Sequence, residues 1–82
     1  MYVGGLTEAT VSHQLRNLFG AYGIIMRADV IRHKHNGKSA GYGFVEMMTM
    51  EQAMRAVTAL EGTLFQGNRL RVFVMSPVTI HA

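Results

Sequence analysis

Ala40-Gly41-Tyr42-Gly43-Phe44-Val45-Glu46-Met47 is the stretch on which the reading of this chain turns. It is short, carries aromatic and β-branched residues and follows a polar run, which makes it a strand. Side chains alternate across a strand. One set is Gly43, Val45 and Met47; the other is Tyr42, Phe44 and Glu46. A half-covered antiparallel sheet is expected to be apolar on one face and polar on the other. Here both sets carry apolar groups. With Val45 and Met47 against a core, two aromatic rings point the opposite way.

Upstream, His33 to Ser39 (HKHNGKS) is polar and contains Asn36-Gly37, a strong hairpin signal. It joins a strand over Ile24 to Arg32 to the strand from about Gly41 to Met47. In the former, Ala28 and Val30 point one way and Arg27, Asp29 and Ile31 the other. Downstream, Thr49 and Gln52 have the spacing of a capping box at a helix start. Ala53, Ala56, Val57 and Leu60 form that helix's apolar face, and Gly62 ends it. Gln66-Gly67-Asn68 turns into a last strand over Arg69 to Met75, which Pro77 stops. At the other end, Met1-Tyr2-Val3 is a short strand running into Gly4-Gly5. Ser12 is the expected N-cap of a first helix reaching Tyr22, with Leu15, Leu18, Phe19 and Tyr22 on one face and Gly23 as the stop.

The order is strand, helix, strand, strand, helix, strand. Two right-handed crossovers put both helices on one side of a single sheet and leave the other side open. By parity Tyr2 joins Tyr42 and Phe44 on the open side. So does Phe73, beside Arg71, because Leu70, Val72 and Val74 face in. Four rings on an uncovered sheet exceed what a monomer usually exposes without purpose. Flat rings on a rigid platform suit nucleobases, since every base has a π-face. Arg27 and Arg71 on the same face, with Arg32, Lys34 and Lys38 in or beside the loop, can meet phosphates.

The octapeptide over residues 40–47 resembles that of the RNA recognition motif (RRM) family, and Met1-Tyr2-Val3-Gly4-Gly5-Leu6 is similar to that family's hexapeptide. The resemblance runs from Met1 to about Met75. It implies an α+β, ferredoxin-like βαββαβ two-layer sandwich with the two motif strands adjacent at the centre. Together with the element order it gives a four-stranded antiparallel sheet of order 4-1-3-2. It also implies bases stacked on Tyr2 and Phe44, with Tyr42 against the sugars between them. The expected partition is a domain over 1–75 and a C-terminal tail over 76–82. Three positions depart from the pattern. Ala40 stands where a phosphate-binding Lys or Arg is usual, Gly5 where Asn is frequent, and Met47 where an aromatic is usual.

Composition bounds the alternatives. The chain has 82 residues, one domain's worth, with a net charge of +3 and no cysteine. No apolar run approaches the roughly 18 residues of a membrane span. The expected partner is single-stranded RNA, with single-stranded DNA as a second candidate. No enzyme activity, cofactor, metal, small-molecule substrate or membrane association is expected, and a monomer is favoured. The expected location is cytoplasmic, or nuclear for a piece of a eukaryotic protein. His33 and His35 read as part of a solvated basic loop, because no carboxylate or cysteine near them in sequence completes a metal site. His13 and His81 read as surface residues. Asp29 and Glu46 read as acceptors for base amino groups or as solvated charges. An acylphosphatase-like enzyme would need an Arg near Gly4-Gly5, and none stands there in sequence. The competing function is a protein-binding adaptor using the same apolar face; the competing structural reading is that the rings are buried, under residues 76–82 or in a dimer. The first helix carries His13, Gln14, Arg16 and Asn17 and no acid, unlike the peptide-binding variant of the fold.

Overall fold

The structure, a computed structural model, describes residues 1–75. The tail expected over 76–82, with Pro77, His81 and the suggestion that this segment covers the rings, lies outside the described residues. The elements are β1 (Tyr2–Gly4), α1 (Ser12–Phe19), β2 (Ile25–Arg32), β3 (Ser39–Met47), α2 (Met50–Leu60), β4 (Leu64–Phe65), β5 (Asn68–Arg69) and β6 (Arg71–Phe73). The main sheet has the order β2-β3-β1-β6 with every pair antiparallel. That is the expected order 4-1-3-2 read from the other edge, with β6 as the fourth strand.

Alternation decides the two layers. Val3, Ala28, Val30, Val45 and Val72 are buried beneath Leu15 and Phe19 of α1 and Ala53, Ala56 and Leu60 of α2. Met47 joins this core. Gly43 lies in the same inward-facing row, paired with Val30 on one side and Val3 on the other. A Cβ there would come within 2.4 Å of the Asp29 carbonyl and 3.2 Å of Leu15 Cδ1. The glycine therefore lets α1 settle onto the centre of the sheet.

Helix ends differ from the sequence expectation in instructive ways. The first helix stops at Phe19, and its C-cap is Gly20, whose N–H donates to Arg16 O at 2.8 Å. Tyr22 and Gly23 follow in a turn. Its N-cap is Val11, and Ser12 is the first helical residue. Val11 has no acceptor side chain, so its own N–H donates to Gln14 Oε1 at 2.9 Å instead. Thr49 does cap α2, accepting from Gln52 N–H at 3.1 Å. The reciprocal half of that box is missing, because Gln52 Oε1 accepts from Ile24 N–H at 3.2 Å. The Gln52 side chain is thus spent on a tertiary contact, which local spacing does not reveal.

The last strand was expected unbroken over Arg69 to Met75. Instead β4 and β5 form a hairpin of their own, and Leu70 is a buried break before β6. The turn holds Gln66 at φ 53° and Gly67 at φ 86°, the positive values a tight two-residue hairpin needs. Gln66 is not a residue that favours this conformation. Its side chain is held by the hydroxyl of buried Thr10, which donates to Gln66 Oε1.

Both outer strands have an outward amide taken up by a helix-end side chain. Val30 N–H on β2 donates to Ser12 Oγ at 3.1 Å. Val72 N–H on β6 donates to Glu61 Oε1, from the C-cap of α2. Beside it, Leu70 exchanges backbone hydrogen bonds with Gly62 and Thr63, each 2.8 Å. Ser12→Ala leaves a part-buried amide without its partner and is expected to cost about 1–3 kcal/mol. Urea unfolding checks this; an unchanged midpoint would mean that water replaces the hydroxyl at no cost.

Candidate nucleic-acid interface

Strand register builds the open face as rows. Asp29 on β2 is paired with Phe44 on β3, Phe44 with Tyr2 on β1, and Tyr2 with Phe73 on β6. One transverse row is thus Asp29, Phe44, Tyr2, Phe73. The next row on the same face pairs Tyr42 with Gly4 and Gly4 with Arg71. On the other side Arg27 pairs with Glu46.

The rings form one cluster. Tyr2 stacks on Phe73 with centroids 4.7 Å apart and planes at 24°, and on Tyr42 at 5.8 Å and 21°. Phe44 meets Tyr2 and Tyr42 edge-on, at 6.2 and 5.8 Å. Tyr2, Tyr42 and Phe44 are half-buried, and Phe73 is 48% exposed. Among the described residues no element lies over them. Gly4 is a determinant that sequence reading missed. A Cβ at Gly4 would stand 2.6 Å from Tyr2 Oη, so the Tyr2 ring lies down along its own strand over the glycine. The signal was present as a glycine two residues after an outward aromatic.

The five cations expected to meet phosphate are not equally free. Arg27 pairs with Asp29 at 3.4 Å and Arg71 with Glu61 at 3.6 Å. All four side chains remain 45% or more exposed, so each pair is a weak, screened tie. Arg32 donates to Gly37 O at 3.2 Å, which folds it back on its own loop. Lys34 and Lys38 are exposed on that loop and have no ion pair among the described residues. Ala40 is half-buried next to the platform and contributes no charge. Glu61 was not foreseen as a partner of Arg71, because the contact joins the end of α2 to a strand ten positions on. His33 and His35 are exposed in the β2–β3 turn, and among the described residues no three His, Cys, Asp or Glu side chains gather as a metal site.

Comparison with known proteins places this arrangement. Residues 1–71 match the sequence profile described as RNA recognition motif. The chain is 36% identical, over 94% of its length, to the chloroplastic 28 kDa ribonucleoprotein of Spinacia oleracea, of which it spans 33%. It spans 35% and 44% of two further curated relatives. Among solved structures, the crystal structure of RNA binding protein PG1 superposes with a TM-score of 0.84 at 35% identity, covering 94% of this chain and 95% of that one. A Sxl-lethal protein/RNA complex superposes with a TM-score of 0.85 at 32% identity, covering 90% of this chain and 46% of that one.

Proposed function

The chain belongs to the RNA recognition motif family, and on that premise we propose that it binds single-stranded RNA on the open face of the sheet. Bases stack on Tyr2 and Phe44, Tyr42 packs against the sugars between them, and Phe73 extends the platform toward β6. The observation that carries this reading is the transverse row Phe44, Tyr2, Phe73, three rings in register on adjacent strands. Ring faces on a fixed platform stack on any base. The likeness to a relative solved as a complex with RNA supports the ligand class. No catalysis is part of the proposal. Named relatives include chloroplastic and mitochondrial proteins, so the cytoplasmic expectation gains nothing from them. No helix among the described residues is long and apolar enough to cross a membrane.

The test is titration of a short single-stranded RNA pool at low and high salt, with single-stranded DNA of the same sequences in parallel. Saturable binding of the RNA supports the proposal. Absence of RNA binding, with a protein captured on the same face, would favour the adaptor reading. Salt dependence follows from the cation geometry. Lys34 and Lys38 are the two without an acidic or carbonyl partner among the described residues, and each acid-tied arginine brings a carboxylate that offsets its charge, so about two phosphates should be neutralised. At roughly −0.7 per phosphate on a single strand, log K against log salt should fall with a slope of about −1.4. Glu61→Gln keeps an acceptor for Val72 N–H but releases Arg71. It is expected to steepen the slope by about 0.7. An unchanged slope would mean that RNA does not pass Arg71.

A further inference from the structure

Two of the chain's five carboxylates stand on the open face, Asp29 and Glu46. Next to a polyanion a carboxylate repels the ligand unless it meets a donor. We infer that Asp29 reads the edge of the base stacked on Phe44 and selects guanine over uracil; this rests on the stacking reading above. Asp29 is directly across from Phe44, and opposed residues on neighbouring strands stand about 5 Å apart at Cβ. A base lying on the Phe44 ring therefore turns one edge toward Asp29. The two residues line a shallow concavity of about 450 Å³ together with Arg27, Ile31 and Glu46.

The chemistry at that edge is directional. An ionised carboxylate only accepts. Asp29 Oδ2 is tied to Arg27 at 3.4 Å, while Oδ1 takes no hydrogen bond among the described residues. Arg27, two positions back on the same face of β2, ties Oδ2 only weakly and leaves Oδ1 open to a donor. Guanine presents an imino N–H and an amino group side by side, two donors that match two carboxylate oxygens. Uracil presents one N–H flanked by two carbonyl oxygens, which the carboxylate repels. Adenine and cytosine, with one amino group each, fall between.

The test uses a fluorescent uridine octamer, the same octamer with one central guanosine, and one with inosine there, each titrated by the full chain. The guanosine RNA is expected to bind roughly tenfold more tightly than the all-uridine RNA, within the 5- to 150-fold that a bidentate base contact supplies. Inosine, which lacks the amino donor, should lose most of that gain. Asp29→Asn and Asp29→Ala should each bring the guanosine-to-uridine ratio below about threefold. Affinity for all-uridine RNA should hold or improve, and the unfolding midpoint should hold because Asp29 is exposed. Equal binding of the RNAs by the unaltered chain, or a ratio that survives both variants, overturns the inference while leaving RNA binding intact. Failure of every RNA to bind overturns the platform reading and this inference with it.

Discussion

Truncation of Phe19 to alanine is expected to lower the stability of the domain by about 3–5 kcal/mol. Phe19 is fully buried on α1, packed in the one core that the helices and the sheet share. Removing the ring loses its transfer free energy and leaves a cavity that a core of short side chains cannot refill. A domain of this size holds roughly 4–12 kcal/mol in total, at 0.05–0.15 kcal/mol per residue. Much of the margin is therefore carried by this one ring. Urea unfolding is the measurement, and the midpoint should fall with the slope unchanged. A loss under about 1 kcal/mol would mean that Leu15 and Leu60 close the gap and that the core is less tightly specified than its burial indicates.

On the opposite side of the sheet the expectation reverses. Tyr2→Ala and Phe44→Ala are each expected to weaken single-stranded RNA binding by about 1–3 kcal/mol while the fold survives. Both rings are half-buried and lie outside the core. Tyr2→Ala also removes the stack on Phe73, worth about 0.5–1.5 kcal/mol of stability. Phe44→Ala removes only edge-on contacts and should cost less. The rings touch, so the double variant should lose less than the sum of the two. Fluorescence titration against a short RNA, with circular dichroism as the folding control, separates the effects. Unchanged affinity in both single variants would remove the platform; unfolding of either would make the rings structural.

What could be read from the sequence follows from the range of the interactions involved. Alternation within β3 and the helical spacing of Leu15 with Phe19, and of Ala53, Ala56 and Leu60, are local and periodic. They gave the elements, the two layers and the side on which Tyr2, Phe44 and Phe73 lie, while the strand order came from the element order together with the family resemblance. Local signals failed wherever a side chain reached across the fold. Ser12 has the chemistry of an N-cap but serves Val30. Gln52 completes the spacing of a capping box but serves Ile24. The β4–β5 hairpin escaped notice because two strands of two residues carry no period. For the site, residue parity identified the face, yet the state of each cation depended on partners. Arg71 meets Glu61 from another element, and Arg32 turns back on Gly37.

The capped outer amides of Val30 and Val72 bear on how the domain meets other chains. A bare sheet edge is a template for strand addition, by which peptides dock or like molecules aggregate. Here a hydroxyl sits on one such position and a carboxylate on the other. An incoming strand would have to displace Ser12 or Glu61 before it could pair there. Copies of the molecule can thus be crowded together without zipping edge to edge at these two points.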